Sequence, residues 1–197
     1  MIIRLATKKD AIQIARIHRE EIRKGFLSQL GVRFLSKFYE AMTTSPQAFI
    51  VVAEDNNRVI GFISGCTNIK QFYRHFLKKY AIKVFFILLA KIFKPSVLGN
   101  IFETIRYSKQ EVGEILPAAE LLTIATSKEF HGQGIAQEIF ERFVLEMNKR
   151  DIKEFKVIVG ENLSRAIGFY EKMGFKFHSS ISVHKKKPSR VYIYNIE

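Results

Sequence analysis

The stretch LLTIATSKEFHGQGIAQEIFERFVLEM, residues 121–147, constrains the fold more than any other part of the chain. An apolar, β-branched run passes through His131, Gly132, Gln133 and Gly134 into Ile135, Ala136 and apolar residues at helical spacing, so a strand feeds an amphipathic helix through a tight turn. Glycine in such a turn lets the backbone take positive φ and approach a ligand closely. The N–H groups of the first helical turn have no intrahelical acceptor, and the helix dipole adds partial positive charge at the same end. Residues 132–136 therefore suit a phosphate held by main-chain donors, although the same turn also serves as an ordinary strand-to-helix connection. Spacing disfavours two other nucleotide-binding turns: no Lys followed by Ser or Thr stands here as in a P-loop, and the run is not G-x-G-x-x-G.

Around this segment the hydrophobic period changes along the chain. Ile2 to Leu5 reads as a short strand, and Thr7 with Asp10 resembles a capping box opening a helix from Lys8 to about Ile22. A second helix is expected from about Leu27 to Met42, with Leu27, Leu30, Phe34, Leu35 and Phe38 on one face. Ala48 to Glu54 and Val59 to Thr67, joined by Asp55, Asn56 and Asn57, predict an antiparallel hairpin. Further strands are expected at Glu120 to Thr126 and Phe155 to Val159, helices at about Gly134 to Lys149 and Ser164 to Met173, and two strands near the C-terminus. That order predicts an α/β fold. With no repeat and no low-complexity linker, residues 1–197 are expected to form one domain, with residues 69–118, two helix-like stretches, as an insertion within it.

Composition narrows the function classes. Hydrophobic residues make up 47% of 197 residues, 18 of them Phe, enough to close a core without disulfides or a structural metal. The single cysteine, Cys66, excludes an internal disulfide and a cysteine-rich metal site, and reads as a small buried strand residue. No secretory signal is visible at the N-terminus, and the longest charge-free apolar run, Val84 to Ala90, is far short of the roughly 20 residues of a membrane-spanning helix. A soluble, cytoplasmic protein is the expectation. A net charge of +13 favours anionic partners, while the absence of zinc-finger spacing and of an RNP signature argues against specific nucleic-acid recognition.

A second motif stands at VIVGENLSRAIGFYEKMGFKF, where a strand runs into Asn162, a short helix, Tyr170, Gly174 and Phe175. The two segments together resemble the GNAT acetyltransferase superfamily. Its first signature, Gln or Arg, two residues, Gly, one residue, then Gly or Ala, is matched by Gly134 and Ala136, with His131 a departure at the leading position. Its second, Asn, Ala, Tyr and Gly-Phe, is matched by Asn162, Ala166, Tyr170, Gly174 and Phe175. The resemblance implies a mixed, mostly antiparallel central sheet flanked by helices, with the helical insertion as an addition. It implies acetyl-CoA as cosubstrate, its pyrophosphate on main-chain groups of Gly132, Gln133, Gly134, Ile135 and Ala136 with the side chain of His131 at the leading position of the same site, and its pantetheine arm along Ile124, Ala125 and Thr126 and against Asn162 and Ala166. Tyr170 would lie near the sulfur. No metal is implied.

Acyl transfer to an amine needs a neutral nucleophile, donors for the developing oxyanion and a proton for the departing thiolate. A backbone N–H near Ala125 or Thr126 is a candidate for the oxyanion, and Tyr170 for the proton donor. Glu120, at the start of its strand, is the candidate base, since some family members use a strand glutamate; otherwise it is a solvated strand-end charge. His75 and Glu161 are weaker candidates. The expected acceptor is a primary amine of a small molecule (an amino sugar, a polyamine or an amino-acid derivative). The alternatives are a peptide or protein amine, or a CoA-binding regulatory module without turnover. Between Lys70 and Lys94 stand seven Lys or Arg and no Asp or Glu. This segment reads as an amphipathic helix with a solvated cationic face, as a cleft cover that selects substrate, or as a contact for an anionic membrane surface. A homodimer is a further open partner state.

Overall fold

The computed structural model describes residues 1–23, 25–92, 116–184 and 187–196. Its strands are β1 (Ile2–Leu5), β2 (Ala48–Asp55), β3 (Arg58–Cys66), β4 (Glu120–Thr126), β5 (Glu154–Gly160), β6 (Lys176–His184) and β7 (Lys187–Asn195). Its helices are α1 (Ala11–Glu21), α2 (Phe26–Leu30), α3 (Val32–Met42), α4 (Ile69–Ile92), α5 (Ile135–Asn148) and α6 (Ser164–Lys172). The strands share one sheet in the order β1-β2-β3-β4-β5-β7-β6. Every adjacent pair is antiparallel except β4 and β5, which run parallel and are joined through α5 as a parallel crossover requires. The expected mixed, mostly antiparallel sheet flanked by helices is what the chain forms.

Alternation along the strands splits the apolar residues between two cores. Ile50, Val52, Phe62 and Cys66 face α1, α3 and α4, while Phe49, Val51, Ile63 and Leu121 face α5. In α5, Ile135, Ile139, Phe143 and Met147 recur at spacings of four and form the buried stripe. Full burial of a side chain of this size contributes about 1.5–3 kcal/mol, so the two-sided sheet is where most of the stabilisation arises.

Local chemistry explains the element ends. Asn56 and Asn57 both take positive φ, 47° and 61°, as a two-residue hairpin turn demands. The carboxylate of Asp10 accepts the Thr7 N–H at 2.7 Å, and it also holds Arg4 at 2.8 and 2.9 Å. The turn Lys8–Asp10 is 3-10 and only Ala11 onward is α-helical. The expected helix from Leu27 to Met42 is two helices, because Gly31 takes φ 88° and ψ 166°, a conformation open to glycine. Its carbonyl then accepts the Leu35 N–H at 3.0 Å and starts α3 afresh.

Of the expected insertion, residues 69–92 form one continuous helix; residues 93–115, and with them the rest of the two expected helix-like stretches, lie outside the described residues. Phe72, Phe76 and Tyr80, four apart, form the buried side of α4. Phe76 meets Phe34 and Phe38 edge-on, at ring separations of 6.0 and 5.5 Å. Helix α4 is thus anchored on α3.

One glycine is required by close approach. A Cβ on Gly65 would lie 2.4 Å from Phe143 Cζ and 2.8 Å from the Glu120 carbonyl oxygen. The ring can shift but the paired main chain cannot. Gly65→Ala is expected to destabilise the fold by about 1–3 kcal/mol in urea denaturation, through overpacking between β3 and α5.

Candidate active site

The parallel pair β4–β5 does not persist along its length. Glu120 opposes Lys156 and Leu121 opposes Val157, after which the two strands are no longer paired. Between β4 and β3 the register shifts at the same place: Ser64 opposes Thr123, and Gly65 opposes Leu121, so Leu122 is bulged. A bulge bends its strand and sharpens the local twist. Here it coincides with the point where β4 leaves β5, and the two strands enclose a wedge that closes at Glu120 and opens toward Thr126.

The wedge side of β4 carries free main-chain groups. Ser127 N–H donates to the Ile60 carbonyl at 2.8 Å, toward β3. Donor direction alternates along a strand, so the N–H groups of Ala125 and Thr123 share that side and those of Ile124 and Thr126 point into the wedge. The Thr126 carbonyl, on the wedge side as well, is taken by His131 Nε2 at 2.9 Å. His131 Nε2 also lies 3.6 Å from a Glu21 carboxylate oxygen, and the other oxygen of Glu21 accepts the Lys128 N–H at 3.0 Å. The imidazole therefore ties the end of β4 to α1, and is engaged by its own chain.

At the open end sits the glycine turn. Gly132 and Gly134 take φ 80° and 81°, and a Cβ added to either would meet nothing within 4 Å. Gly134 is the left-handed residue before α5, and its carbonyl accepts the N–H groups of Gln137 and Glu138 at 2.9 and 3.2 Å. Among the described residues the N–H groups of Gly132, Gln133, Gly134, Ile135 and Ala136 have no main-chain acceptor outside the helix, and residues 132–134 are exposed. Ile135 contributes only its main chain, since its side chain is in the core. Across the wedge, Asn162 follows β5 with its side chain exposed and its Oδ1 over Gly160, while Ala166 is partly buried on α6 against the second core. Five donors around a turn that no side chain fills fit a pyrophosphate, and an open strand edge about 16 Å long leading from it fits an amide-bearing arm such as pantetheine.

The closed end holds the titratable groups. Glu120 is buried, on the sheet face shared with Cys66, so it is not the solvated strand-end charge that its position suggests. Burial pushes its carboxyl above the usual range, and Lys156, 3.7 Å away, acts in the opposite direction. One of its oxygens, Oε2, is buried with no hydrogen-bond partner among the described residues. Lys156 also donates to the Pro117 carbonyl. Burial and the charge of Glu120 push the Cys66 thiol up, which keeps it protonated.

Tyr170 stands in the last turn of α6 with its ring against Phe169 and Phe175, at 5.7 and 5.3 Å. It is 6% exposed, and burial raises its pKa, so the phenol stays protonated. Its hydroxyl makes no hydrogen bond with the described residues. The weaker candidates are elsewhere: His75 belongs to α4, and Glu161 faces Arg190 at 3.7 Å. A shallow recess of about 440 Å³, lined by Glu20, Glu21, Arg58, Ser127, Lys128 and Glu129, opens beside the end of β4.

Two features escaped the sequence. Lys156 reads as an ordinary strand cation, and only the β4–β5 register sets it against Glu120. Behind β4, His18 Nδ1 and the Tyr39 hydroxyl share a hydrogen bond of 2.5 Å, and Tyr39 also bonds the side chain of Thr123 on β4. A buried His at a helical core position was the available signal.

The model of the Acetyltransferase (GNAT) family matches residues 15–175. No curated protein sequence matches the chain. Among solved structures, an N-acetyltransferase from Staphylococcus aureus Mu50 is similar with a TM-score of 0.64 at 14% identity, covering 100% of this chain and 98% of its own. A ribosomal-protein-alanine N-acetyltransferase from Brucella melitensis gives 0.63 at 13% identity, covering 99% of each chain. The PaiA N-acetyltransferase from Thermoplasma acidophilum, in complex with coenzyme A, gives 0.61 at 14%, covering 99% of each. At such identities the likeness carries the fold.

The bond behind β4 gives a pH prediction. Burial lowers the His18 pKa from 6.5 to about 4, so the unfolded chain takes up this proton at higher pH than the folded one. This group's contribution is full above pH 6.5 and is lost as the pH falls toward 4, by about 3 kcal/mol. His18→Gln is expected to flatten that loss relative to the wild type in urea melts across the window; parallel pH profiles would contradict it.

Proposed function

The chain belongs to the GNAT acetyltransferase family, and from that premise we propose that it transfers an acetyl group from acetyl-CoA to a primary amine of a small molecule, by direct attack of the amine on the thioester. The observation that carries this reading is the wedge itself. Free N–H groups of Ile124 and Thr126 line it, five more donors sit at its mouth, and a buried carboxylate sits at its closed end. A regulatory module that only binds CoA would have no use for Glu120 in that position.

Acetyl-CoA supplies an acyl carbon activated by a thiol leaving group. The chain's own residues do the rest. Residues 132–136 bind the pyrophosphate through main-chain donors, and Asn162 meets the arm from the β5 side. The N–H of Ile124, nearer the closed end than that of Thr126, donates to the carbonyl oxygen as charge develops there. Glu120, directly or through water, accepts the proton of the amine; its raised pKa makes it a stronger base than an exposed glutamate. Tyr170 donates its hydroxyl to the departing sulfur. Its own raised pKa makes outright proton loss difficult, so this donation is mainly a hydrogen bond, complete only as the amine proton becomes available.

The net charge of +13 bears on the acceptor. A positive field disfavours a polyamine and favours an amine that carries its own carboxylate or phosphate, such as an amino-acid derivative or an anionic amino sugar. The α-amine of a peptide is the second reading, favoured by the likeness to the Brucella ribosomal-protein-alanine enzyme.

Thiol release from acetyl-CoA, measured against amines, peptides and proteins, tests both. Turnover with an anionic small amine is expected. Tyr170→Phe and Glu120→Gln should each lower kcat by about 100-fold or more. Glu120→Gln should also abolish the rise in rate that accompanies its deprotonation, since the rate increases with pH through its pKa. CoA binding with no turnover on any acceptor would contradict transfer and favour the regulatory module.

A further inference from the structure

Helix α4 has an outer face that its packing does not explain. Its inner side is settled: Phe72, Phe76 and Tyr80 are buried on α3, and Val84 and Ile87 continue the contact. At about 100° per residue, positions 82, 85 and 86 lie roughly 140–240° around the helix from Tyr80. Ile82, Phe85 and Phe86 are 76%, 53% and 67% exposed, and the rings of Phe85 and Phe86 meet edge-on with centres 5.7 Å apart. A helix apolar all round is ordinarily covered all round, and three large neighbours left in water form a patch rather than scattered surface residues.

The charges around the patch say what covers it. Arg74, Lys78 and Lys79 are exposed one to three turns before it, and Lys83 lies within it. From Lys70 to Lys94 there is no Asp or Glu. The nearest acid on the packed side, Glu40 of α3, is taken by Lys37 at 2.6 Å and by Tyr80 at 3.4 Å. Lys79 reaches Thr44 at 3.4 Å, while Arg74 and Lys78 have no such contact among the described residues. An isologous contact with a second copy would set these cations against their equivalents. Long basic side chains beside exposed aromatics are the composition that anionic lipid receives, the apolar tips entering the acyl boundary and the cations reaching the headgroups. No helix among the described residues is long and apolar enough to cross a membrane, so the contact is one of surface.

We infer that the outer face of α4, through Ile82, Phe85 and Phe86 with Arg74, Lys78 and Lys79, docks the protein on an anionic lipid bilayer. The face stands apart from the wedge, on a helix that packs on α3. Its root follows Cys66, whose strand neighbour is Glu120.

The chain has no tryptophan, so Phe86→Trp gives a reporter without background. With vesicles of phosphatidylcholine and phosphatidylglycerol, its emission is expected to shift to the blue and the protein to sediment with the lipid. Phosphatidylcholine alone should bind at least about tenfold more weakly, since each cation near an anionic surface strengthens binding several-fold. Arg74→Gln with Lys78→Gln, and separately Ile82→Ser with Phe85→Ser and Phe86→Ser, should each weaken sedimentation about tenfold or more. Thermal melting and thiol release from acetyl-CoA without lipid should stay as in the wild type. Equal binding to neutral and anionic vesicles, or binding unchanged in both variants, would overturn the proposal. So would an assembly in lipid-free solution that the triple variant dissociates, which would assign the face to a second copy, or a reporter already blue-shifted without lipid, which would mean the protein itself covers it. None of the binding and sedimentation readouts depends on acetyl transfer, so their failure leaves the proposed reaction untouched.

Discussion

The parting of β4 from β5 after Leu121 is the constraint on which the site depends. A fully paired β4 would have every main-chain donor and acceptor satisfied, and the sheet would offer a ligand nothing. Because the pairing stops, the N–H groups of Ile124 and Thr126 face open space at the centre of a seven-stranded sheet, a place where unpaired groups are otherwise costly. The structure keeps them in place from behind. Phe62 and Ile63 pair β4 from the β3 side, Tyr39 holds Thr123, and His131 holds the Thr126 carbonyl.

That arrangement links fold to chemistry through direction. The crossover helix α5 starts where β4 ends, so its unsatisfied N–H groups and the strand's open edge belong to one continuous surface. In the proposed reaction, the turn would fix the phosphates and so set where the arm begins, and the strand edge would set where it runs. The buried Glu120 at the other end is then about 20 Å along the strand from the turn, beyond the donors rather than among them. Its raised pKa follows from the same burial that closes the wedge, with Lys156 holding the carboxylate partly in check.

Much of this was legible in local sequence, and the rest was not for a definite reason. The glycine turn and the run from Asn162 to Phe175 declare themselves, because positive φ at Gly132 and Gly134 and the strand–helix order are local properties. The hairpin at Asn56 and Asn57 was visible on the same grounds. The bulge at Leu122 leaves no mark in composition, since Leu121 and Leu122 are alike and only the pairing with Ser64 and Gly65 distinguishes them. Lys156 is 36 residues from Glu120, and nothing short of the parallel register brings the two together. Gly31 was visible as a glycine inside a helical pattern, but propensity alone does not decide between a weak helix residue and a break.

Amide hydrogen exchange with and without coenzyme A tests the role of the wedge most directly. Occupancy of the β4 edge and the glycine turn predicts slowed exchange at Ile124, Thr126 and residues 132–136, with Ala125, already bonded toward β3, changed little. Unchanged exchange at those amides with saturating coenzyme A, or protection confined to another surface, would contradict it.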